Sequence, residues 1–279
     1  MISKLRVQQY PSASSFWRNS HRFLAQNECM NNLFWEVSKN WQTGKRVSWG
    51  GNIFRNGLVD LSALYLSTNY VLLSAGSTLG IEKLAKYGKA KKWKIVGITG
   101  PKDEVEQLAT LWGGKTVLSK LRKRFIIFES AGSKSQTLPS DGLNLVKATE
   151  LEWPRIRLWA GEFATESDPP LDPQATILMA KSMLKKKNLY LLKKAQKTVA
   201  MAGFGRETDK KIVINMVYVP PELRRRQFGS ILVSSLFEEA KQRGFSNALM
   251  FSDHLQKANL YEALGCINRG EFYEIKFEL

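Results

Sequence analysis

The part of this 279-residue chain whose residue types could do chemistry is residues 211–244, KIVINMVYVPPELRRRQFGSILVSSLFEEAKQRG. It combines an apolar strand-like run, the pair Pro220 and Pro221, three consecutive arginines and an amphipathic helical pattern. Free N–H groups at the start of a helix, together with the helix dipole, favour an anion, and arginines add charge-assisted hydrogen bonds. The segment therefore predicts a phosphate-binding turn, with a plain solvated basic surface as the alternative.

Other side chains that could hold a metal or act as nucleophiles are sparse. The histidines, His21 and His254, are each single, and the cysteines, Cys29 and Cys266, lie in opposite halves of the chain. None has a partner at a metal-ligand spacing, and no Ser-His-Asp arrangement is supported. We therefore expect a reduced chain without a metal.

The elements that must position the basic turn are indicated by punctuation and periodicity in the second half. A helix over about 150–164 is expected to bury one face. The residues expected on that face are Leu151, Ile156, Trp159 and Phe163. Asp172 followed by Pro173 predicts the start of a second helix. The other expected elements are strands at 142–148, 188–194, 197–205, 211–219 and 245–252, helices over 227–243 and 255–264, and two strands in 266–279.

The first half is predicted to mix helices and strands as well. Helical patterns lie near 13–25, 29–41, 78–90 and 102–112, and strand-like runs near 45–54, 62–74, 93–98 and 124–129. Residues 130–142, SAGSKSQTLPSDG, combine Ser, Gly, Pro and Asp with few large apolar side chains, which is typical of a linker. We therefore predict domains at 1–130 and 142–279, joined by a linker at 131–141.

The basic turn resembles the coenzyme A pyrophosphate loop of the GNAT acetyltransferase superfamily, whose pattern is [QR]-x-x-G-x-[GA]. Arg224 and Gly229 match its first and last positions, whereas Gln227 replaces its central glycine. The surrounding VYVPPELRRRQFGSILVSSL is similar to the VYTPPexRgrGyAsaLvaxL signature of a subgroup of bacterial predicted acetyltransferases. FSD at 251–253 and LYEALG at 260–265 resemble that subgroup's ending, and weaker similarity extends the resemblance to the whole chain.

The resemblance implies an α/β (α+β) fold of two GNAT-like domains, each a mixed, mostly antiparallel sheet flanked by helices. It also implies transfer of an acetyl group from acetyl-CoA to a primary amine of a small molecule or peptide. Tyr261 would protonate the leaving thiolate, and Glu222 is the carboxylate nearest the turn that could act as a base. The backbone of Met216, Val217, Tyr218 and Val219 would pair with pantetheine, and the pyrophosphate would be held by Arg224, Arg225, Arg226, Gln227, Phe228, Gly229 and Ser230.

The first domain is expected to be a degenerate GNAT-like domain on the acceptor side, because its turn Gly97–Pro101 has no basic residue. The net charge of +17 is uneven: residues 1–141 hold 21 Lys and Arg against 9 acids, and residues 142–279 hold 21 against 16. This excess leaves open a non-catalytic protein that binds nucleic acid or another polyanion, and an aminoacyl-tRNA-dependent transferase. Without a signal-peptide or membrane-span pattern, we expect a cytoplasmic protein, and no membrane partner.

Overall fold

Strands and helices alternate along the chain in the computed structural model, which describes residues 4–44, 47–113, 119–131, 142–253 and 259–277. They fall into two compact units, which we call the first unit (Met1–Phe125 with Gly270–Leu279) and the second unit (Ile126–Arg269). The predicted linker at 131–141 lies outside the described residues apart from Ala131, and the predicted domain boundaries stay a prediction.

The helices and strands follow the sequence pattern closely. Up to residue 113 they are β1 (Leu5–Gln9), α1 (Ala13–Leu24), α2 (Glu28–Asn31), α3 (Leu33–Gln42), β2 (Val47–Arg55), β3 (Leu58–Leu66), β4 (Tyr70–Leu73), α4 (Thr78–Ala90), β5 (Gly97–Pro101) and α5 (Lys102–Gly113). From residue 119 they are β6 (Ser119–Glu129), β7 (Leu143–Lys147), α6 (Trp153–Glu166), α7 (Pro173–Lys185), β8 (Leu189–Lys194), β9 (Lys197–Glu207), β10 (Lys211–Tyr218), α8 (Phe228–Gln242), β11 (Asn247–Ser252), α9 (Leu260–Ala263) and β12 (Ile267–Phe277).

Each unit has a mixed, mostly antiparallel arrangement of strands. The strand order is β1-β2-β3-β4-β5-β12 in the first unit and β6-β11-β10-β9-β8-β7 in the second. In the first unit β4 runs parallel to β5, with α4 as the crossover, and in the second β10 runs parallel to β11, with α8 as the crossover. The predicted fold class, a mixed sheet flanked by helices, is confirmed.

The second unit has buried clusters on both faces of its sheet. On one face Phe228, Leu232 and Leu236 of α8 share a cluster with sheet residues that include Phe204 and Met250. On the opposite face α6 and α7 contribute a cluster that includes Trp159, Met183, Leu191 and Met201. Since a fully buried Leu or Phe contributes about 2 kcal/mol, the two clusters together hold the sheet between its helices.

Several details differ from the sequence expectations. Leu151 is 91% exposed, because it lies in a short turn before α6, so placing it on the buried face was wrong. The run at 62–74 forms two strands, β3 and β4, since Asn69 adopts a left-handed turn conformation. The final run forms the single strand β12, which continues through Gly270 at a φ of 119° that glycine tolerates readily.

The caps agree with the expectations. Asp172 accepts a hydrogen bond from the backbone N–H of Ala175 and caps α7, and Gly244 follows α8 at a φ of 89°.

Within the described parts of the chain, no helix is long and apolar enough to cross a membrane.

A buried carboxylate joins three residues of the second unit, Glu129, Lys211 and Arg269. Glu129 of β6 has a side chain only 2% exposed, and it accepts hydrogen bonds from Lys211 of β10 and from Arg269 of β12, the latter at 2.5 Å. Burial alone raises the pKa of Glu129, but the hydrogen bonds from Lys211 and Arg269 outweigh it and hold that pKa below its usual value.

We predict that Glu129→Gln lowers the free energy of unfolding by about 3 kcal/mol at pH 7, because it leaves two cations facing a neutral amide. Since the folded-state pKa of Glu129 is depressed, its contribution is present above the unfolded-state pKa, about 4.3, and is lost as the pH falls through the folded value. Urea unfolding at pH 7 and pH 3.5 measures both effects.

The control is Glu238→Gln, which breaks an exposed pair with Lys241 and should change stability by less than about 0.5 kcal/mol. An equal loss in the two variants at pH 7 would contradict the importance of the buried carboxylate.

Candidate functional site

The segment predicted to bind a phosphate lies where β10 leaves the sheet, and a β-bulge shapes it. Asn215 is opposite Gly203 of β9, whereas Tyr218 is opposite Met201, so β10 carries one extra residue between these pairs. Met216 within the bulge has a left-handed φ of 56°. Because side chains alternate along a strand, one extra residue moves all later side chains to the opposite face.

The exchange of faces is visible in the two buried clusters of the second unit. Ile212 and Ile214 lie in the cluster with α8, whereas Met216 and Tyr218 lie in the cluster with α6 and α7. Val217 and Val219 pack against the cluster on the α8 side instead. The bulge therefore turns the Tyr218 ring towards α6, where it lies 5.9 Å from the Trp159 ring, centroid to centroid.

The same bulge opens the backbone of β10. Among the described residues, the parallel ladder between β10 and β11 ends at the pair Ile214 and Met250, although β11 continues to Ser252. Beyond this point the backbone of residues 216–219 no longer pairs with β11. This is the stretch whose backbone was predicted to pair with an extended ligand.

The N-terminus of α8 offers the second half of such a site. In the described structure no side chain caps α8, and its first turn contains no acid. By contrast, α1, α4, α7 and α9 are all capped by side chains. The N–H groups of Phe228, Gly229 and Ser230 start the helix, and such N–H groups with the helix dipole attract an anion.

Gln227 occupies the position at which the resembling loops have glycine, and it adopts a glycine-like conformation. Its φ and ψ are 62° and 4°, and Arg225 has a φ of 60°. The side chain of Gln227 is exposed. The substitution therefore keeps the backbone shape of the loop, and its cost is local strain of about 1 kcal/mol.

Gly229 is not required by packing in the described protein. A Cβ added there would meet Leu260 and Val219 at 3.6 and 3.7 Å, which is ordinary van der Waals contact. Because glycine has no Cβ, it lets a ligand such as a pyrophosphate approach the backbone at the start of α8 closely.

The three arginines of the loop differ from one another. Arg224 donates through Nε to the carbonyl oxygen of Val219 at 2.9 Å, and through Nη2 to the carboxylate of Glu166. Arg225 and Arg226 are exposed ahead of α8. The sequence analysis assigned all three arginines to the pyrophosphate, whereas in the structure the Arg224 side chain contacts α6.

Tyr261 lies in the first turn of α9, which Asn259 holds in place. Asn259 accepts from the Tyr261 backbone N–H at 2.7 Å and donates to the Ser252 hydroxyl at 3.1 Å. The Tyr261 ring lies 5.7 Å from the Phe128 ring. Burial, reinforced by the negative charge of Asp253, raises the pKa of Tyr261, so its hydroxyl is protonated at neutral pH.

The carboxylates near the loop include two that the sequence reasoning did not single out. Glu222 is exposed in a short turn before the arginines. On α6, the carboxylates of Glu162 and Glu166 lie 2.8 and 3.2 Å from the Tyr218 hydroxyl. Burial of Tyr218, together with the hydrogen bond from its hydroxyl to Glu162, raises the pKa of Tyr218. The spacing of the two glutamates, four residues on one helix, was the available signal.

Asp253 accepts from the backbone N–H of Asp168 at 3.1 Å and so joins the end of β11 to the segment after α6. His254, one residue before the predicted helix at 255–264, lies outside the described residues. Within the described ranges no group of three or more His, Cys, Asp or Glu could hold a metal ion.

The first unit has an equivalent turn between β4 and α4, and the protein's own carboxylates accept hydrogen bonds from this turn. Glu104 accepts from the Gly76 N–H at 2.9 Å, and Asp60 accepts from the hydroxyl of Ser77, the α4 cap, at 2.5 Å. These groups occupy the donors that an anion would need, so this turn is not built to receive one.

Comparison with known proteins places these features in a family context. The profile described as the Acetyltransferase (GNAT) family matches residues 153–266. The fold is similar to a GCN5-related N-acetyltransferase from Sphaerobacter thermophilus, at 13% identity over 98% of this chain and 95% of that chain, with a TM-score of 0.60. No curated protein matches the chain.

Two further solved structures share the fold over nearly the full length. One is an acetyltransferase of the GNAT family from Colwellia psychrerythraea, at 10% identity over 98% of this chain and 100% of that chain, with a TM-score of 0.60. The other is a tandem GNAT protein from the clavulanic acid biosynthesis pathway, at 9% identity over 98% of each chain, with a TM-score of 0.52. At such identities the likeness shows the fold alone.

We predict that Gln227→Gly stabilises the protein by about 0.5 kcal/mol, because relief of the left-handed strain exceeds the entropy that glycine adds to the unfolded chain. Arg226→Gly, at a neighbouring position outside the left-handed region, should instead destabilise by about 0.5 kcal/mol. Urea unfolding midpoints of the two variants measure the difference. The strain argument fails if Gln227→Gly is the less stable of the two.

Proposed function

We propose that this protein is an N-acyltransferase that transfers an acetyl group from acetyl-CoA to a primary amine, in keeping with the match of residues 153–266 to the model of the Acetyltransferase (GNAT) family. The observation that carries this proposal is the uncapped N-terminus of α8, which follows the left-handed residues Arg225 and Gln227. This arrangement suits the pyrophosphate of coenzyme A, and the opened β10 backbone suits its pantetheine arm.

In the proposed complex, the pyrophosphate binds the N–H groups of residues 227–230 and the exposed guanidinium groups of Arg225 and Arg226. Pantetheine pairs with the backbone of residues 216–219 beyond the bulge. The thioester then lies between β10 and α9, the helix that carries Tyr261.

The proposed reaction joins the amine nitrogen to the acetyl carbonyl carbon and breaks the carbon–sulfur bond. Tyr261, whose hydroxyl is protonated at neutral pH, gives its proton to the departing thiolate. The ammonium proton of the acceptor passes to a base, and Glu222, exposed at the turn, is the residue that we propose for it. The acceptor is a primary amine of a small molecule or peptide.

Binding of nucleic acid or another polyanion by the basic first 141 residues remains the second candidate function, together with aminoacyl-tRNA-dependent transfer. A chain that binds RNA in a salt-dependent way and does not bind acetyl-CoA would favour these candidates over the acyltransferase.

We predict that calorimetric titration finds one acetyl-CoA bound per chain with a dissociation constant in the micromolar range, since the comparable turn of the first unit, before α4, is filled by the carboxylates of Glu104 and Asp60. The double variant Arg225→Ala, Arg226→Ala should weaken binding by about tenfold or more, because it removes two charge-assisted contacts.

The matched control is Arg18→Ala, Arg22→Ala, which removes the same charge from exposed positions of α1 in the first unit. Its affinity should equal that of the wild type at moderate salt. Equal weakening by both double variants would point to a general charge effect, and two acetyl-CoA molecules per chain would contradict a single site.

We predict that Tyr261→Phe lowers kcat about a hundredfold and leaves acetyl-CoA binding unchanged, because the ring still packs on Phe128 while the proton donor is lost. Release of free thiol from acetyl-CoA, measured with a panel of primary amines, provides the assay. Tyr70→Phe in the first unit is the control. A Tyr261→Phe variant that turns over like the wild type would remove this residue from the mechanism.

A further inference from the structure

Arg224 is the loop arginine with the most contacts inside the protein. Its Nε donates to the Val219 carbonyl at 2.9 Å, its Nη2 donates to Glu166, and its guanidinium carbon lies 5.8 Å from the Tyr218 ring centroid. A guanidinium group is planar with donors in a fixed fork, so contacts at two of its nitrogens fix its orientation. That orientation is set by β10 and α6 together.

Glu166 is itself held in place by Tyr218. The Tyr218 hydroxyl lies 3.2 Å from Glu166 and 2.8 Å from Glu162, one helical turn earlier. Tyr218 reaches α6 only because the bulge at Met216 turned it to that face. A continuous set of contacts therefore runs from α6 through Glu166 and Arg224 to the Val219 carbonyl.

We propose that Glu166 is a positioning residue for the coenzyme loop, acting through Arg224. We call the contact Glu166–Arg224–Val219 the staple. It ties the first and last residues of the segment 219–224 to each other and to α6, so that the backbone enters α8 in the conformation that presents its N–H groups. This inference rests on the proposed function, and in it Arg224 braces the loop while Arg225 and Arg226 face the pyrophosphate.

The strength of the staple sets the size of the expected effect. The side chains of Arg224 and Glu166 are 44% and 39% exposed, so solvent screens their attraction and the pair is a modest one. Loss of the staple should therefore raise the dissociation constant for acetyl-CoA about three- to fivefold, well short of the effect expected for a direct phosphate ligand.

The test is a double-mutant cycle on the full chain, with calorimetric titration of acetyl-CoA. Glu166→Gln, Arg224→Ala and the double variant should weaken binding by the same factor, because each removes the same contact. Arg224→Lys should not restore binding, since an ammonium group lacks the fork that reaches both acceptors. The salt dependence of binding should match that of the wild type in all these variants.

Glu162→Gln is the matched control, because Glu162 accepts from the same Tyr218 hydroxyl, whereas Arg224 donates to Glu166. It should leave the dissociation constant unchanged. Once an acceptor amine is identified, Glu166→Gln should raise KM for acetyl-CoA and leave kcat unchanged, a split that a general loss of folded protein would not give.

Two results would overturn the staple. Tighter binding by Glu166→Gln would mean that Glu166 competes with the coenzyme for Arg224. A larger loss in Arg224→Ala than in Glu166→Gln, restored by Arg224→Lys, would mean that Arg224 binds phosphate directly. A wild-type chain that binds no acetyl-CoA would instead refute the proposed function, and this inference with it.

Discussion

The left-handed conformation of Met216 is the constraint on which the second unit depends most. A bulky residue in this region costs about 1–2 kcal/mol, and it persists because the β10 residues on either side are buried in two different clusters. Ile214 before it packs with α8, and Tyr218 after it packs with α6 and α7. One extra residue in β10 thereby both ends the parallel ladder with β11 and decides which helix each later side chain meets.

The electrostatics around the loop follow from this exchange of faces. With Tyr218 turned to α6, two carboxylates that are neighbours on that helix converge on one hydroxyl, and Arg224 is drawn to one of them. The three consecutive arginines thus have two different environments. Arg225 and Arg226 are exposed and add positive charge in front of α8, where the helix dipole already favours an anion.

The two units show how one topology can have different chemistry. Both contain a strand, a turn, a helix and a parallel strand in succession. In the first unit the start of α4 is occupied by Ser77, Asp60 and Glu104, whereas α8 of the second unit starts without a cap. The fold alone therefore does not decide whether a ligand binds, and the side chains at the helix start do.

Local signals were enough to place α4, α8, the Asp172 cap and the basic turn from the sequence, because periodicity, caps and prolines act over a few residues. They also carried the family resemblance. Three features could not be predicted from such local signals: the bulge at Met216, the convergence of Glu162 and Glu166 on Tyr218, and the exposure of Leu151. Each depends on packing between elements far apart in sequence, and only the tertiary structure decides that packing.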